Sequence, residues 1–229
     1  MQKLKLLSLN SLHLKIIGFV LTAAGAVGAA FFTREEQYLP RMILEMISYP
    51  AVAVYAFLLT EGFRNTQDLK RYAISLAAAA VVTEPFYDYA CLGVWFDLES
   101  SNGQNFLFSL LFCLFVLILL RSINPESKWR IFMICSLIPA VFFWGFIINA
   151  RFSILAALLV IIFTLLREKA VARDITAFAV GTVANYTGGL LVPLLRRYNG
   201  QRGAYPKYLF YGLYPALWAV LAIAKLLTA

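Results

Sequence analysis

Eight apolar runs, at about 16–32, 43–60, 72–96, 105–120, 131–149, 152–166, 175–195 and 208–228, fill most of this chain, with short polar breaks between them. Runs near 20 residues match the ~30 Å hydrocarbon core of a bilayer when they are helical. In hydrocarbon, backbone groups have to be satisfied within the segment, which a helix achieves and an open strand does not. A transmembrane barrel would show short alternating segments instead. Of the 229 residues, 62% are hydrophobic and 14% are charged, against roughly 25% charged in soluble domains. The sequence therefore predicts an all-α, polytopic transmembrane helical bundle of about eight spans, organised as a single domain over residues 1–229. The first run follows Lys3 and Lys5 and ends in small residues, as a signal peptide does; it is read as the first span.

The net charge of +8 lies between the runs. That placement points to topology signals and anionic lipid headgroups, and away from nucleic acid. In an eight-span scheme Lys3, Lys5 and Lys15, then Arg64, Lys70 and Arg71, then Arg121, Lys128 and Arg130, and finally Arg167, Lys169 and Arg173 share one side. By the positive-inside rule that side is cytoplasmic, with the N-terminus on it, while Asp97 and Glu99 face outward. One loop breaks the pattern. Residues 196–207, "RRYNGQRGAYPK", carry four basic residues and no acid, yet the scheme puts them outside. Three explanations stay open. The spans are miscounted, or 175–195, interrupted by "NYTGGLLVP", enters and returns, or the loop is outside and its charge serves a ligand.

Ionisable groups inside the runs are the next signal. One at a helix centre costs at least ~2.5–3.5 kcal/mol and normally faces a bundle interior or cavity. Glu84 and Asp88 are four residues apart on one helix face, with Pro85 between them to loosen the backbone hydrogen bonding. They are the candidate catalytic acid or base, the alternative being a neutralised or partly solvated pair. Arg41 and Glu45, also four apart, read as a structural ion pair. Glu61, at the end of the second run, either caps and pairs with Arg64 or walls a cavity. Asn105 opens the fourth run, where it caps the helix or holds a ligand. Tyr208, Tyr211 and Tyr214 recur every three residues and carry a polar stripe into the last run. His13 is the only histidine, and no nucleophile relay, phosphate loop or metal cluster is readable. Cys91, Cys113 and Cys135 are far apart and form no CxxC pair, so neither a disulfide framework nor a metal is expected.

Four stretches, in this order and spacing, carry a resemblance: "YPAVAVYAFLLTEGFRNTQDLKRYA" (49–73), "TEPFYDYA" (83–90), "NGQNFLFSLLF" (102–112) and "YNGQRGAYPKYLFYGLYP" (198–215). Together with the opening "LKIIGFVLT", they resemble the TraX family over most of the chain. The resemblance implies a multi-span membrane protein of bacteria. It also implies N-acetylation of a pilin for conjugation, with cytoplasmic acetyl-CoA as donor, and a distant kinship to membrane acyltransferases that modify surface glycans. The family's recurring residues fall on Glu61, Gly62 and Thr66; on Glu84, Pro85 and Phe86; on Asn105; and on Asn199, Gly200, Arg202 and Gly203. With acetyl-CoA as donor, Arg196, Arg197, Arg202 and Lys207 are candidate partners for its phosphates. That would favour a cytoplasmic 196–207 loop. Tyr211 and Tyr214 are candidates for the same donor site.

Two departures stand against these matches. Relatives carry an Asp-His pair late in the first span, where this chain has Gly25 and Ala26, and a histidine in the last span, where it has Leu217. Three readings follow. The first is an acyltransferase that uses Glu84 or Asp88 as base and a pilin, peptide or glycan as acceptor. The second is a catalytically lapsed homologue serving as a membrane binding or assembly subunit. The third is a small transporter lined by the intramembrane acids.

Overall fold

The computed structural model describes residues 8–33, 35–97, 103–206 and 208–228, and every regular element among them is helical. The helices are α1 (Ser11–Phe31), α2 (Tyr38–Ser48), α3 (Pro50–Asn65), α4 (Leu69–Leu92), α5 (Phe106–Ser122), α6 (Arg130–Ile148), α7 (Ser153–Leu165), α8 (Ala170–Asn185), α9 (Val192–Leu195) and α10 (Leu209–Thr228). Among the described residues, four segments are long and apolar enough to cross a membrane: Ser11–Phe31, Tyr38–Asn65, Arg130–Ile148 and Leu209–Thr228.

Local chemistry sets the helix ends. Asn10 accepts from the His13 N–H at 3.0 Å, and His13 Nδ1 accepts from the Asn10 N–H at 3.3 Å, closing a capping box at the start of α1. The only histidine in the chain is thus a cap. Asp68 caps α4 through the Arg71 N–H at 2.8 Å, and Gly93, at φ +80°, ends it. Pro50 has no N–H to donate, and it divides the second run into α2 and α3 at Tyr49. The bare face of α1 packs tightly on that divided helix. A Cβ on Gly25 would collide with the Ser48 side chain, and one on Gly28 would sit 3.0 Å from Leu44.

The centre of the bundle is α3, α5 and α7, which bury Ala53, Val54, Cys113, Leu114, Ala156 and Leu159. Helix α7 has only 13 residues, a rise of about 20 Å at 1.5 Å per residue. That is less than the ~30 Å core, so α7 is shorter than a full span. Helix α6 lies at the periphery. Val141 and Gly145 are its buried residues, Leu137 and Ile148 pack partly against the core, and Ile131, Phe132, Phe142, Phe143, Trp144 and Phe146 are exposed.

Contacts at the helix ends define two faces. On the N-terminal face, Leu9 donates to Arg197 O at 2.8 Å and accepts from the Asn199 N–H at 2.9 Å. Arg167 reaches Glu61 at 3.6 Å on the same face. On the opposite face, Lys225 near the end of α10 donates to Ala90 O at 2.8 Å near the end of α4. Helices α1, α4 and α10 therefore run in the same direction.

This arrangement selects among the three explanations for the basic loop. Segment 175–195 enters and returns. Helix α8 rises from the N-terminal face, and Thr187 beyond its end donates to Met46 O at 2.5 Å. The chain then turns back, and Arg196 forms an ion pair with Asp174 in the first turns of α8. The sharp return needs Gly181, Gly188 and Gly189, because a Cβ on Gly181 would lie 2.8 Å from the Gly189 backbone nitrogen. Among the described residues, the segment at 175–195 is the apolar run that turns back before reaching the opposite face. The loop at 196–206 consequently joins the other basic clusters, and its exception to the charge rule disappears. The eight-crossing scheme missed this because a helix that stops short has the same apolar composition as one that crosses.

Candidate functional site

A cavity of about 360 Å³ opens on the N-terminal face between α1, α3, α4, α10 and the returning loop. Its mouth is polar, carrying Ser11, Lys15, Glu61, Asn65, Arg202 and Tyr205. Lys15 Nζ lies 4.9 Å from the centre of the Tyr205 ring and 5.2 Å from that of Phe210. The Arg202 guanidinium lies 4.9 Å from the centre of the same Tyr205 ring, and Arg202 donates to Tyr205 O at 3.4 Å. Burial pushes the Tyr205 phenol up, but hydrogen bonds with Lys15, Ser11 and Arg202 outweigh it and leave its pKa below the ordinary tyrosine value. Tyr198 moves the other way, raised by burial and by the nearby Glu61 carboxylate. Glu61 is answered by Arg167 at 3.6 Å and Arg64 at 3.9 Å. The loop closes on α1 through Gly203, whose φ of +81° and close approach to Leu12 and Asn10 both exclude a side chain. Deeper in, the walls become aromatic and aliphatic, with Tyr55, Tyr72, Tyr211, Tyr214, Phe106 and Leu110.

A second chamber, of about 40 Å³, lies beyond the deep end. Phe106 and Tyr214 line both spaces. Gly25 and Ala26 form part of its wall, so the positions where relatives carry Asp-His do face a cavity. Trp218 lines it, while its neighbour Leu217 does not. Arg151 also reaches it, from the α6–α7 turn, which is formed by Asn149 at φ 49° and Phe152 at φ 61°.

The two acids of α4 line neither space. Glu84 accepts from the Asn105 backbone N–H at 3.1 Å and from its side-chain amide. Asn105, fully buried, also donates to Ala80 O at 2.9 Å and caps α5 by accepting from the Leu107 N–H at 3.0 Å. Asp88 is buried and accepts from the Asp97 N–H at 2.9 Å. Glu84 is nevertheless linked to the cavities, because it holds the residue that precedes Phe106. The Arg41–Glu45 pair forms at 3.1 Å, and Arg151 joins it at 3.5 Å. Tyr49 adds a hydroxyl at 3.3 Å.

Of the residues expected at a donor site, the structure gathers Glu61, Arg202, Tyr211 and Tyr214 in one cavity. Arg196 is committed to Asp174, which also holds Arg173 at 2.8 Å. Arg197 and Asn199 tie the loop to Leu9 through their backbones, and Asn199 Oδ1 accepts from the Gln201 N–H at 2.9 Å. Lys207, with Lys3, Lys5 and Glu99, lies outside the described residues. Sequence reasoning missed Ser11, Lys15, Tyr55 and Tyr72 as cavity residues and Arg151 as a partner of Glu45. A signal for part of this was present. Ser11, Lys15, Thr22 and Ala26 stand at spacings of four, seven and four, which places them on one face of α1. Among the described residues, no three His, Cys, Asp or Glu side chains cluster as metal ligands.

No curated protein and no solved structure matches the chain. A family model described as TraX protein matches residues 3–225. With nearly the full length covered, and with the "EGF" glutamate and the "NG-RG" loop meeting at one cavity, the chain belongs to the TraX family.

Proposed function

We propose that this protein is a membrane acyltransferase of TraX type that takes acetyl-CoA in the larger cavity. The observation that carries the reading is the cavity's gradient from a cation-bearing mouth to an apolar, aromatic interior. Lys15 and Arg202 suit the phosphates of the donor, and the interior suits its arm and acyl group. Lys207 is proposed as a further phosphate partner. In the transfer, the thioester C–S bond breaks and a C–N or C–O bond to the acceptor forms. The acceptor gives up its proton and the CoA thiolate gains one. Glu84 is proposed to act in this reaction by fixing the α5 N-terminus and hence Phe106, and Asp88 by holding the segment after α4 through the Asp97 N–H. The acceptor is a pilin, a peptide or a surface glycan. The membrane is the bacterial cytoplasmic one, with the N-terminal face cytoplasmic, because Lys15, Arg64, Arg121, Arg167 and Arg202 gather there. Calorimetric titration of the purified chain with acetyl-CoA tests the reading. Binding is expected to weaken about tenfold in Arg202→Ala, as for loss of one charge-assisted contact. Absence of heat at millimolar donor removes the proposal.

A second reading has its own support in Gly25 and Ala26, which stand at the wall of the smaller chamber and bring no ionisable group to it. On that reading the chain is a lapsed enzyme kept as a binding or assembly subunit in a membrane complex. Pull-down in mild detergent should then recover a stoichiometric partner, and a clean monomer counts against it.

A further inference from the structure

The geometry points to Tyr72 and Tyr211 as a hydrogen-bonding subsite for the amides of a pantetheine arm, so that the larger cavity takes a pantetheine thioester in preference to an alkyl or polyprenyl phosphate. This deepens the reading that the cavity takes acetyl-CoA, and rests on it. A cationic mouth above an apolar interior suits both kinds of ligand, because each carries phosphate at one end and a less polar chain behind it. The polar atoms of the interior separate them.

Four phenols line that interior: Tyr55, Tyr72, Tyr211 and Tyr214. Two are spent within the fold. Tyr55 is hydrogen-bonded to the Thr22 hydroxyl, and Tyr214 is engaged by Trp218 and by the Phe106 backbone. The other two are not. Among the described residues, neither the Tyr72 nor the Tyr211 hydroxyl makes a hydrogen bond. The two phenols lie within electrostatic reach of each other and of Tyr205 at the mouth. Gly62 leaves room for the first of them, since a Cβ there would stand 3.3 Å from Tyr72 Oη.

A phenol hydroxyl donates one proton and also accepts. An amide offers a carbonyl to the first and an N–H to the second, so the two groups match in either orientation. A hydrocarbon chain offers neither, and seated here it would shut both hydroxyls away from water with nothing to bond. The charged groups of the cavity, Lys15, Glu61 and Arg202, all stand at its mouth. The interior therefore suits a polar group without charge. Depth agrees with this. Tyr72 lies in the first turn of α4 and Tyr211 in the first turn of α10, and both helices start at the N-terminal face. Leu76 and Tyr214 line the cavity about one turn further in. The free phenols thus stand between the cations and the aromatic floor. The arm of CoA has the same order: phosphates, then amides, then the thioester.

The test is calorimetry on the purified full-length chain in detergent, with CoA, 4′-phosphopantetheine, adenosine 3′,5′-bisphosphate and hexyl phosphate as ligands. CoA should bind about tenfold or more tighter than the bisphosphate, which keeps phosphates and lacks the arm. Tyr72→Phe and Tyr211→Phe each keep the ring and remove the hydroxyl. Each should weaken CoA about fivefold, as for loss of one neutral hydrogen bond. Both should bind the bisphosphate within about twofold of the unaltered protein, which also shows that they are folded. Hexyl phosphate should bind the unaltered protein more weakly than 4′-phosphopantetheine does, and the two variants no less tightly than the unaltered protein. In difference infrared spectra, ¹³C-labelled amide carbonyls of CoA should move to lower wavenumber on binding the unaltered protein than on binding the double variant. Undiminished CoA affinity in both variants, or a loss that falls equally on the bisphosphate, overturns the subsite and leaves the acyl-CoA reading standing. Hexyl phosphate matching 4′-phosphopantetheine overturns it in the same way. Failure of CoA and 4′-phosphopantetheine to bind, whether or not hexyl phosphate does, removes the acyl-CoA reading and this subsite with it.

Discussion

Near the N-terminal face, Glu61 meets Arg167 and Arg64 at 3.6 and 3.9 Å, at the limit of ion-pair contact, around an open mouth. Near the opposite face, Glu45 meets Arg41 at 3.1 Å and Arg151 at 3.5 Å, and Glu84 is bound twice by Asn105. Both halves put acids beside basic or amide partners inside an apolar bundle. They differ in what is left over. On the opposite side the acids' partners are fixed by backbone and side-chain bonds, as buried polar groups have to be. At the mouth, Lys15 and Arg202 rest on the ring of Tyr205, and no acid is paired with either of them among the described residues. The half near the opposite face is built for stability, and the half at the mouth keeps charge available to a ligand. Substitutions should accordingly act on stability in one half and on binding in the other.

The largest effect is expected at Arg151. Removing it strands Glu45, whose side chain is 19% exposed, with only the more exposed Arg41 as its cation. Arg151→Ala should cost about 3 kcal/mol, the usual cost of breaking a largely buried pair from one side. The measurement is thermal unfolding in a fixed detergent. Because the loss comes from a stranded charge, Glu45→Ala combined with Arg151→Ala should be more stable than Arg151→Ala alone. If the double variant is less stable than the single, the pair contributes by attraction, and the account of this half fails.

Asn105 comes next. Asn105→Ala removes the α5 cap and two side-chain donor bonds, for about 2 kcal/mol. Asn105→Asp separates the contributions. It keeps the cap but loses the amide donors and faces Glu84 with a second carboxylate. It should therefore destabilise at least as much as alanine. An aspartate variant that unfolds with the unaltered protein would show that the cap alone matters there.

These two sites also mark what could be read in advance. Spans, the Arg41–Glu45 pair and the capping role of Asn105 follow from periodicity, i,i+4 spacing and turn chemistry, all of them local. The Glu61 wall was legible as one of two alternatives. The partner of Glu84 lies 21 residues away and that of Glu45 lies 106 away, so no local pattern pairs them. The re-entrant course of 175–195 was legible as one of three explanations, from the charge of the loop behind it and the "NYTGGLLVP" interruption. What hid it is physical: bilayer-compatible composition specifies burial in an apolar medium, whereas direction of travel is set by long-range contacts such as Arg196–Asp174. Lys15 was visible as a charge but was counted as a topology signal, because nothing in the sequence places 198–205 beside it.

The smallest effect sharpens the comparison from the side of the mouth. The Tyr205 phenol has a pKa below the ordinary tyrosine value of ~10. Its phenolate therefore forms at lower pH than that of a free tyrosine, and sits between Lys15 and Arg202. Two consequences have defined signs. A depressed folded-state pKa adds stability above the unfolded value, near pH 10, and that increment is lost as pH falls through the folded value. Binding of a phosphate-bearing donor goes the other way, because the phenolate cancels positive charge at the mouth. Affinity for acetyl-CoA should thus begin to fall at lower pH in the unaltered protein than in Tyr205→Phe, and by a few-fold at most for a partly exposed charge. At neutral pH Tyr205→Phe should unfold within about 0.5 kcal/mol of the unaltered chain. Parallel affinity profiles from pH 7 to pH 10 would mean that the Tyr205 phenol plays no electrostatic part at the mouth. The two halves would then differ in openness alone.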